Sequence, residues 1–155
     1  MKILVAIDGS EYGQAALDEC CSNFVRPGET EMKIVSAHDD AYPIAAEPFA
    51  ISSEYYEEMN KASRKQVEGF LESAKQRVKE RFPNGKLDLT TAVLHGSPAP
   101  TIIDEATEWG ADLIVVGSHG RGFWGRMLGS VSDGVVHHAP CSVLVVRGDH
   151  KDENE

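Results

Sequence analysis

The sequence predicts an α/β fold, a parallel β-sheet with helices on both faces. Three observations point there. Short apolar runs alternate with longer amphipathic stretches in the order βαβαβαβαβ, and parallel neighbours need crossovers that helices supply. The runs Ile3-Leu4-Val5-Ala6-Ile7 and Leu113-Ile114-Val115-Val116 are apolar throughout, the pattern of central strands buried on both sides. Glycine and proline punctuate the joins between these segments.

Taken in order, Lys2 to Ile7 reads as a strand closed by Asp8-Gly9-Ser10. From Ser10 the spacing turns helical: Leu17, Cys20, Cys21 and Phe24 share a face, and Pro27-Gly28 ends the element. Met32 to Ala37 is a second strand. His38 to Ser53 reads as a loop, long for a compact domain, with Pro43 and Pro48 inside it. Ser53 to Phe82 is the longest helix, its stripe made by Val67, Leu71, Ala74, Val78 and Phe82. Pro83-Asn84-Gly85 stops it, and Leu87 to Leu94 is the third strand. Ser97-Pro98 is a helix start, an N-cap followed by proline at the first helical position. Ile102, Ile103, Ala106 and Trp109 form that helix's inner face, with Gly110 at its C-cap. After the strand Leu113 to Val116 and a glycine-rich loop, Ser130 to His138 is the last helix. Ser142 to Val146 is the last strand. Residues 1–147 read as one domain and residues 148–155 as an acidic tail.

The chain has 155 residues, 41% of them hydrophobic and 26% charged, which excludes disorder and collagen-like repeats. No run approaches the ~20 apolar residues of a membrane helix, and the N-terminal run is too short for a signal peptide. Three cysteines, two of them adjacent, make no disulfide framework and fit a cytoplasmic location. The net charge of -10 argues against nucleic acid and anionic membranes as partners. That charge is uneven. Residues 113–132 hold no acid, only Arg121 and Arg126, so an anion would sit there most easily.

The same stretch carries six glycines in the 18 residues from Gly117 to Gly134. Glycine lets backbone N–H groups turn toward a ligand and lets that ligand come close. Gly129-Ser130 opens a helix whose N-terminus offers unpaired N–H groups, and Ser130 and Ser132 add hydroxyls. In open α/β sheets, ligands bind beyond the carboxyl ends of the strands. Asp8-Gly9-Ser10 and the 117–132 segment are the two places with the composition for such a site. His119 lies inside it, within reach of a bound phosphate.

Other chemistries lack their anchors. There is no Gly-x-x-x-x-Gly-Lys-Ser/Thr, no Gly-x-Gly-x-x-Gly after the first strand and no Gly-x-Ser-x-Gly. His137 and His138 are adjacent on a helix and do not face each other, so one of them reads as a C-terminal cation and the pair not as metal ligands. No metal site is expected. Phe123 and Trp124 are candidates for a partner surface or a ligand cover, with core packing the commoner fate of such aromatics, and Cys141 is a candidate for packing.

Val5-Ala6-Ile7-Asp8-Gly9-Ser10, the late block Ala111 to Gly120, Gly129-Ser130-Val131 and Ala139 to Val146 together resemble a universal stress protein domain, over nearly the whole chain. The resemblance implies a Rossmann-like five-stranded sheet of order 3-2-1-4-5, with Asp8 and the glycine loop flanking one crevice. It implies an adenine nucleotide (ATP, ADP or AMP) as ligand, with or without magnesium. Gly117 and Gly120 match the start of the family's nucleotide motif, and Gly129-Ser130 its end. Asp8 matches the ribose-binding carboxylate, Ala6 and Val116 fall at the adenine, and backbone near His38-Asp39 completes the base pocket. Arg121, Val131 and Ser132 complete the expected lining, Ser132 with a phosphate contact. The spacer Arg121 to Leu128 has eight residues where the family's motif has nine, which favours AMP, ADP or a related adenine ligand over ATP specifically. The resemblance also implies a homodimer through Val143-Leu144-Val145-Val146, an apolar edge strand.

The expected function is a cytoplasmic, non-enzymatic stress-response protein whose bound nucleotide changes the surface shown to a protein partner. The alternatives are a dimerisation or partner module without nucleotide, its crevice filled by side chains such as Phe123 or Arg121, and a slow ATPase.

Overall fold

The computed structural model describes residues 1–41, 52–120 and 127–148. Five strands, β1 (Lys2–Ala6), β2 (Glu31–His38), β3 (Asp88–His95), β4 (Leu113–Gly117) and β5 (Ser142–Val146), form one sheet in the order β3-β2-β1-β4-β5. All pairings are parallel, with Val5 opposite Ile34 on one side and Val115 on the other. Four helices make the crossovers: α1 (Glu11–Asn23), α2 (Ser53–Arg81), α3 (Pro98–Trp109) and α4 (Ser130–His138).

Strand periodicity divides the core. Ile3 and Val5 point to one face, where α1 brings Ala16, Leu17 and Cys20, and α2 brings Val67, Leu71 and Val78. Leu4 points to the other, where α3 brings Ile102 and Ala106, and α4 brings Val135. Ile3, Leu4, Val5, Ile114 and Val115 are all fully buried, as strands covered on both faces require.

Most sequence boundaries move by a residue or so, each for a local reason. Ser10 is the N-cap of α1 and not its first residue, its Oγ accepting from Gly13 N at 3.2 Å. Ile7 lies past the end of β1, yet its N–H still donates to Val35 O at 2.9 Å. Pro98 opens α3, and Gly110 ends it at φ 71°, ψ 49°, the left-handed cap that favours glycine. Of the four residues expected on the inner face of α3, Ile102 and Ala106 are buried, while Ile103 and Trp109 are half-buried.

The larger correction concerns His38 to Ser53. β2 extends through His38, which is buried, and α2 starts at Ser53. Between them, residues 42–51 lie outside the described residues, as do 121–126 and the tail from 149. The first half of α2 buries nothing among residues 53–66. Polar clips tie it to the end of β2 instead. His38 bonds Ser63 Oγ through Nδ1 (3.1 Å) and Asp40 Oδ1 through Nε2 (2.8 Å). Arg64 donates to both Asp40 oxygens at 3.0 and 3.1 Å, and the Asn60 amide exchanges two bonds with the Ala41 backbone.

Candidate functional site

The first two central strands end side by side, and the crevice opens there. β1 and β4 pair with Ala6 opposite Val116. Beyond them the chain turns through Asp8-Gly9 on one side and Gly117 to Gly120 on the other. Between lies a cavity of about 250 Å³. It is lined by the apolar Ala6, Ala37, Ile102, Val116 and Val131 and by the polar Asp8, His119, Ser130 and Ser132.

Asp8 is fixed by its own turn. Its Oδ1 accepts from Ser10 N at 2.9 Å, the local bond by which aspartate closes such turns. Two glycines make room for this carboxylate. A Cβ on Gly13 would lie 3.2 Å from Oδ1, and one on Gly120 would lie 2.8 Å from Oδ2. Gly117 is constrained differently: a Cβ there would lie 2.7 Å from the carbonyl carbon of Tyr12, where the first turn of α1 packs on β4. Close approach, and not backbone strain, favours glycine at these three positions, most firmly at Gly117, where the obstacle is backbone; none has positive φ.

The glycine segment is pinned at both ends. Ser118 N donates to Val146 O (2.8 Å), holding the segment to the end of β5. Ser118 O accepts from Gly129 N (2.8 Å) and from Ser132 Oγ (2.9 Å), which draws the start of α4 back against the end of β4. Gly129 is the N-cap of α4 and brings no side-chain acceptor. The first-turn amides of Ser130, Val131 and Ser132 therefore have no side-chain cap among the described residues, and they open on the cavity with the positive end of the helix dipole. His119 is buried, bonded to Ser118 Oγ through Nδ1 at 2.9 Å, with the Tyr12 ring centroid 5.2 Å away. Asp8 is the one carboxylate lining the cavity among the described residues.

Of the residues the sequence pointed to, Ala6, Asp8, Val116, Gly117, His119, Gly120, Gly129, Ser130, Val131 and Ser132 all line this crevice. Arg121, Phe123 and Trp124 lie outside the described residues. Asp39, whose backbone the resemblance puts beside the base, is exposed, its carboxylate accepting from Ser97 Oγ at 3.5 Å. Ala37 lines the crevice, His38 is tied to Ser63 of α2, and Asp39 lies past the strand's end. Ser132 differs in its chemistry from what was expected. Its hydroxyl is buried and placed on two carbonyls, Ser118 O and Gly129 O, so it braces the loop and has its proton committed there. Residues that sequence reasoning missed are Ile7, Gly13, Ala37, Pro98 and Ile102.

The other candidates resolve into structure. His137 and His138 each donate from Nδ1 to the carbonyl four residues back, at 2.8 and 3.1 Å. Burial pushes the Cys20 thiol up to about 12 and Cys21 to about 11, and Cys141 packs half-buried against the α3–α4 face.

This arrangement agrees with the comparisons to known proteins. The model of the Universal stress protein family matches residues 1–147. Universal stress protein A homolog 2 of Coxiella burnetii is 36% identical over 148 residues, 94% of each chain. Among solved structures, universal stress protein UspA from Lactobacillus plantarum superposes with a TM-score of 0.78 at 30% identity, covering 95% of this chain and 97% of that one. A universal stress protein family protein from Arabidopsis thaliana, solved with AMP bound, shares the fold at TM-score 0.66 and 17% identity, over 100% of this chain and 96% of that one. Sheet order, crevice, family model and relatives agree over essentially the whole length, and the chain belongs to the universal stress protein family.

Proposed function

We propose that this protein binds an adenine nucleotide in the crevice between β1 and β4 and acts as a regulatory binding protein in the stress response, without catalysis of its own. The observation that carries the reading is one cavity whose lining combines apolar side chains with a fixed carboxylate, Asp8, and the start of α4, which has no side-chain cap among the described residues. A purine ring suits the slot between Ala6, Ala37, Ile102 and Val131. Asp8 accepts hydrogen bonds from ribose hydroxyls, and the phosphate lies on the amides of Ser130 and Val131 at the helix N-terminus. Charge-assisted bonds of this kind are worth about 1.5–3 kcal/mol each. The AMP seen in the Arabidopsis relative supports the ligand class.

A bound nucleotide bears on Gly117 to Gly120, and Ser118 is bonded to the last residue of β5. β5 is the sheet edge, and Val143 to Val146 are only half-buried. We place the homodimer contact on that edge, the protein in the cytoplasm, and the regulated partner on the surface the nucleotide remodels. Among the described residues no helix is long and apolar enough to cross a membrane.

Calorimetric titration with AMP, ADP and ATP tests the proposal. One site per chain is expected, weakened about tenfold or more by Asp8→Asn, which removes a charged acceptor. No heat of binding at millimolar nucleotide would reject it.

A further inference from the structure

The contacts that hold the first half of α2 to the end of β2 also form a relay. Asp40, His38 and Ser63 are joined in series: Asp40 Oδ1 lies 2.8 Å from His38 Nε2, and Ser63 Oγ lies 3.1 Å from His38 Nδ1. None of the three lines the nucleotide crevice. His38 is 3% exposed, whereas Ser63 is an exposed residue of α2, so a buried ring is bonded to a surface serine.

The bonds dictate where the protons sit. Arg64 donates to both oxygens of Asp40 and holds that carboxyl below its usual range, with His38 adding to the effect. An ionised carboxylate only accepts, so Nε2 is the donor to Asp40. In the neutral imidazole this leaves a lone pair on Nδ1, and the Ser63 hydroxyl donates to it. The serine proton already lies on a base, and a carboxylate orients that base, which is how a serine is activated as a nucleophile. Nδ1 and Nε2 exchange the roles they have in the serine-protease triad, which alters no step of the proton transfer. Ser118 also bonds a histidine, but it is 1% exposed and closed to an incoming reagent. Ser22 donates to Asp18 O and accepts from Arg81.

The surroundings limit the chemistry. Ser63 lies in the interior of α2, where backbone N–H groups are spent on the helix, so no amide pair waits for an oxyanion. The acyl donor must therefore bring its own activation, as a good leaving group. We propose that Ser63 is an acyl-acceptor nucleophile toward activated carboxylic esters, with His38 as its base and Asp40 positioning the ring. Oγ attacks the ester carbonyl and an Oγ–C bond forms, while the hydroxyl proton passes to Nδ1. The bond from that carbon to the leaving oxygen breaks, the leaving group departs with the electron pair, and His38 returns the proton to solvent. The product is an ordinary serine ester, less electrophilic than the donor, so it accumulates as an adduct.

p-Nitrophenyl acetate is the probe, applied to the full chain and read by p-nitrophenolate release and peptide mapping. Ser63 should be acetylated at least tenfold faster than Ser73, an exposed serine of the same helix bonded to no histidine among the described residues. Ser63→Ala, at an exposed helical position, should lose this adduct and keep the wild-type circular dichroism. His38→Gln should slow acetylation of Ser63 at least tenfold, and Asp40→Asn, which leaves the imidazole in place, several-fold. Asp40 on the ring, Arg64 behind it and His95, with ring centroids 6.4 Å apart, are the charged or titratable groups around His38 among the described residues. Against that background the wild-type rate at Ser63 should rise with pH and level off once His38 is neutral. Acetylation of Ser63 no faster than of Ser73, an unchanged rate in His38→Gln, or a wild-type rate that climbs without a plateau would overturn the assignment.

Discussion

Replacing Gly120 by alanine adds one methyl group at the point where two halves of the crevice meet. The added Cβ would lie 2.8 Å from Asp8 Oδ2, well inside the separation that carbon and oxygen tolerate. The carboxylate has little freedom to retreat, because its other oxygen holds Ser10 N at 2.9 Å and faces Gly13. Either Asp8 swings out of the crevice or the 117–120 backbone withdraws, and each breaks the spacing a nucleotide would bridge. Overpacking of this sort costs about 1–3 kcal/mol of stability. Loss of one charge-assisted bond to ligand costs about 1.5–3 kcal/mol, or about ten- to a hundredfold in Kd. Gly69→Ala is the control: its Cβ meets nothing within 4 Å on the exposed side of α2, so it should stabilise by about 0.5–1 kcal/mol and leave affinity alone. The assay is AMP calorimetry on both variants beside thermal melts. AMP binding by Gly120→Ala at the wild-type Kd would refute the claim that Asp8 and the glycine loop act as one site.

Four further outcomes are expected. Arg64, hydrogen-bonded to Asp40, holds that carboxyl below its usual range, with His38 helping; the folded pKa lies under the unfolded one, so the clip's stabilisation is complete above about pH 5 and is lost as pH falls through the folded value. The melting-temperature gap between wild type and Asp40→Asn should accordingly close on acidification. Cys20 and Cys21, raised to about 12 and about 11, are protonated thiols in the folded chain, so iodoacetamide at mildly alkaline pH should label the half-buried Cys141 first, with the adjacent pair reacting only as the protein unfolds. Leu71→Ala removes a side chain 5% exposed from the α1–α2 face and should cost about 2–5 kcal/mol in denaturant titrations. Val145→Lys puts a charge on the β5 edge, and sedimentation should find a dimer in the wild type and a monomer in the variant.

Legibility in the sequence followed the range of the interaction. β1 and β4 stand out because burial on both faces leaves an uninterrupted apolar run, and α3 because Pro98 and Gly110 mark its ends chemically. α4 and β5 have the bounds their composition suggests. The end of β2 was obscure: His38 and Asp40 look like loop residues until Ser63 and Arg64, far along the chain, are seen to satisfy them. α2 runs from Ser53 as the sequence suggests, but its apolar stripe covers only the second half, and Asn60, Ser63 and Arg64 of the first half make polar contacts to the end of β2 instead. In the crevice, glycine clustering and acid depletion disclosed the polar lining. The apolar lining was less visible, because Ala37 and Ile102 become neighbours only after α3 packs on β2. Gly13 reads in sequence as a weak point of a helix; its reason is the carboxylate it clears.

The most direct measurement is an amide-resolved titration of the labelled chain with AMP. Occupancy of the crevice should move Gly117, Gly120, Ser130 and Val131 together, on one binding curve, while Gly28 and Gly85 at the opposite end of the sheet stay fixed. A titration to millimolar AMP that leaves those four signals unmoved would contradict it.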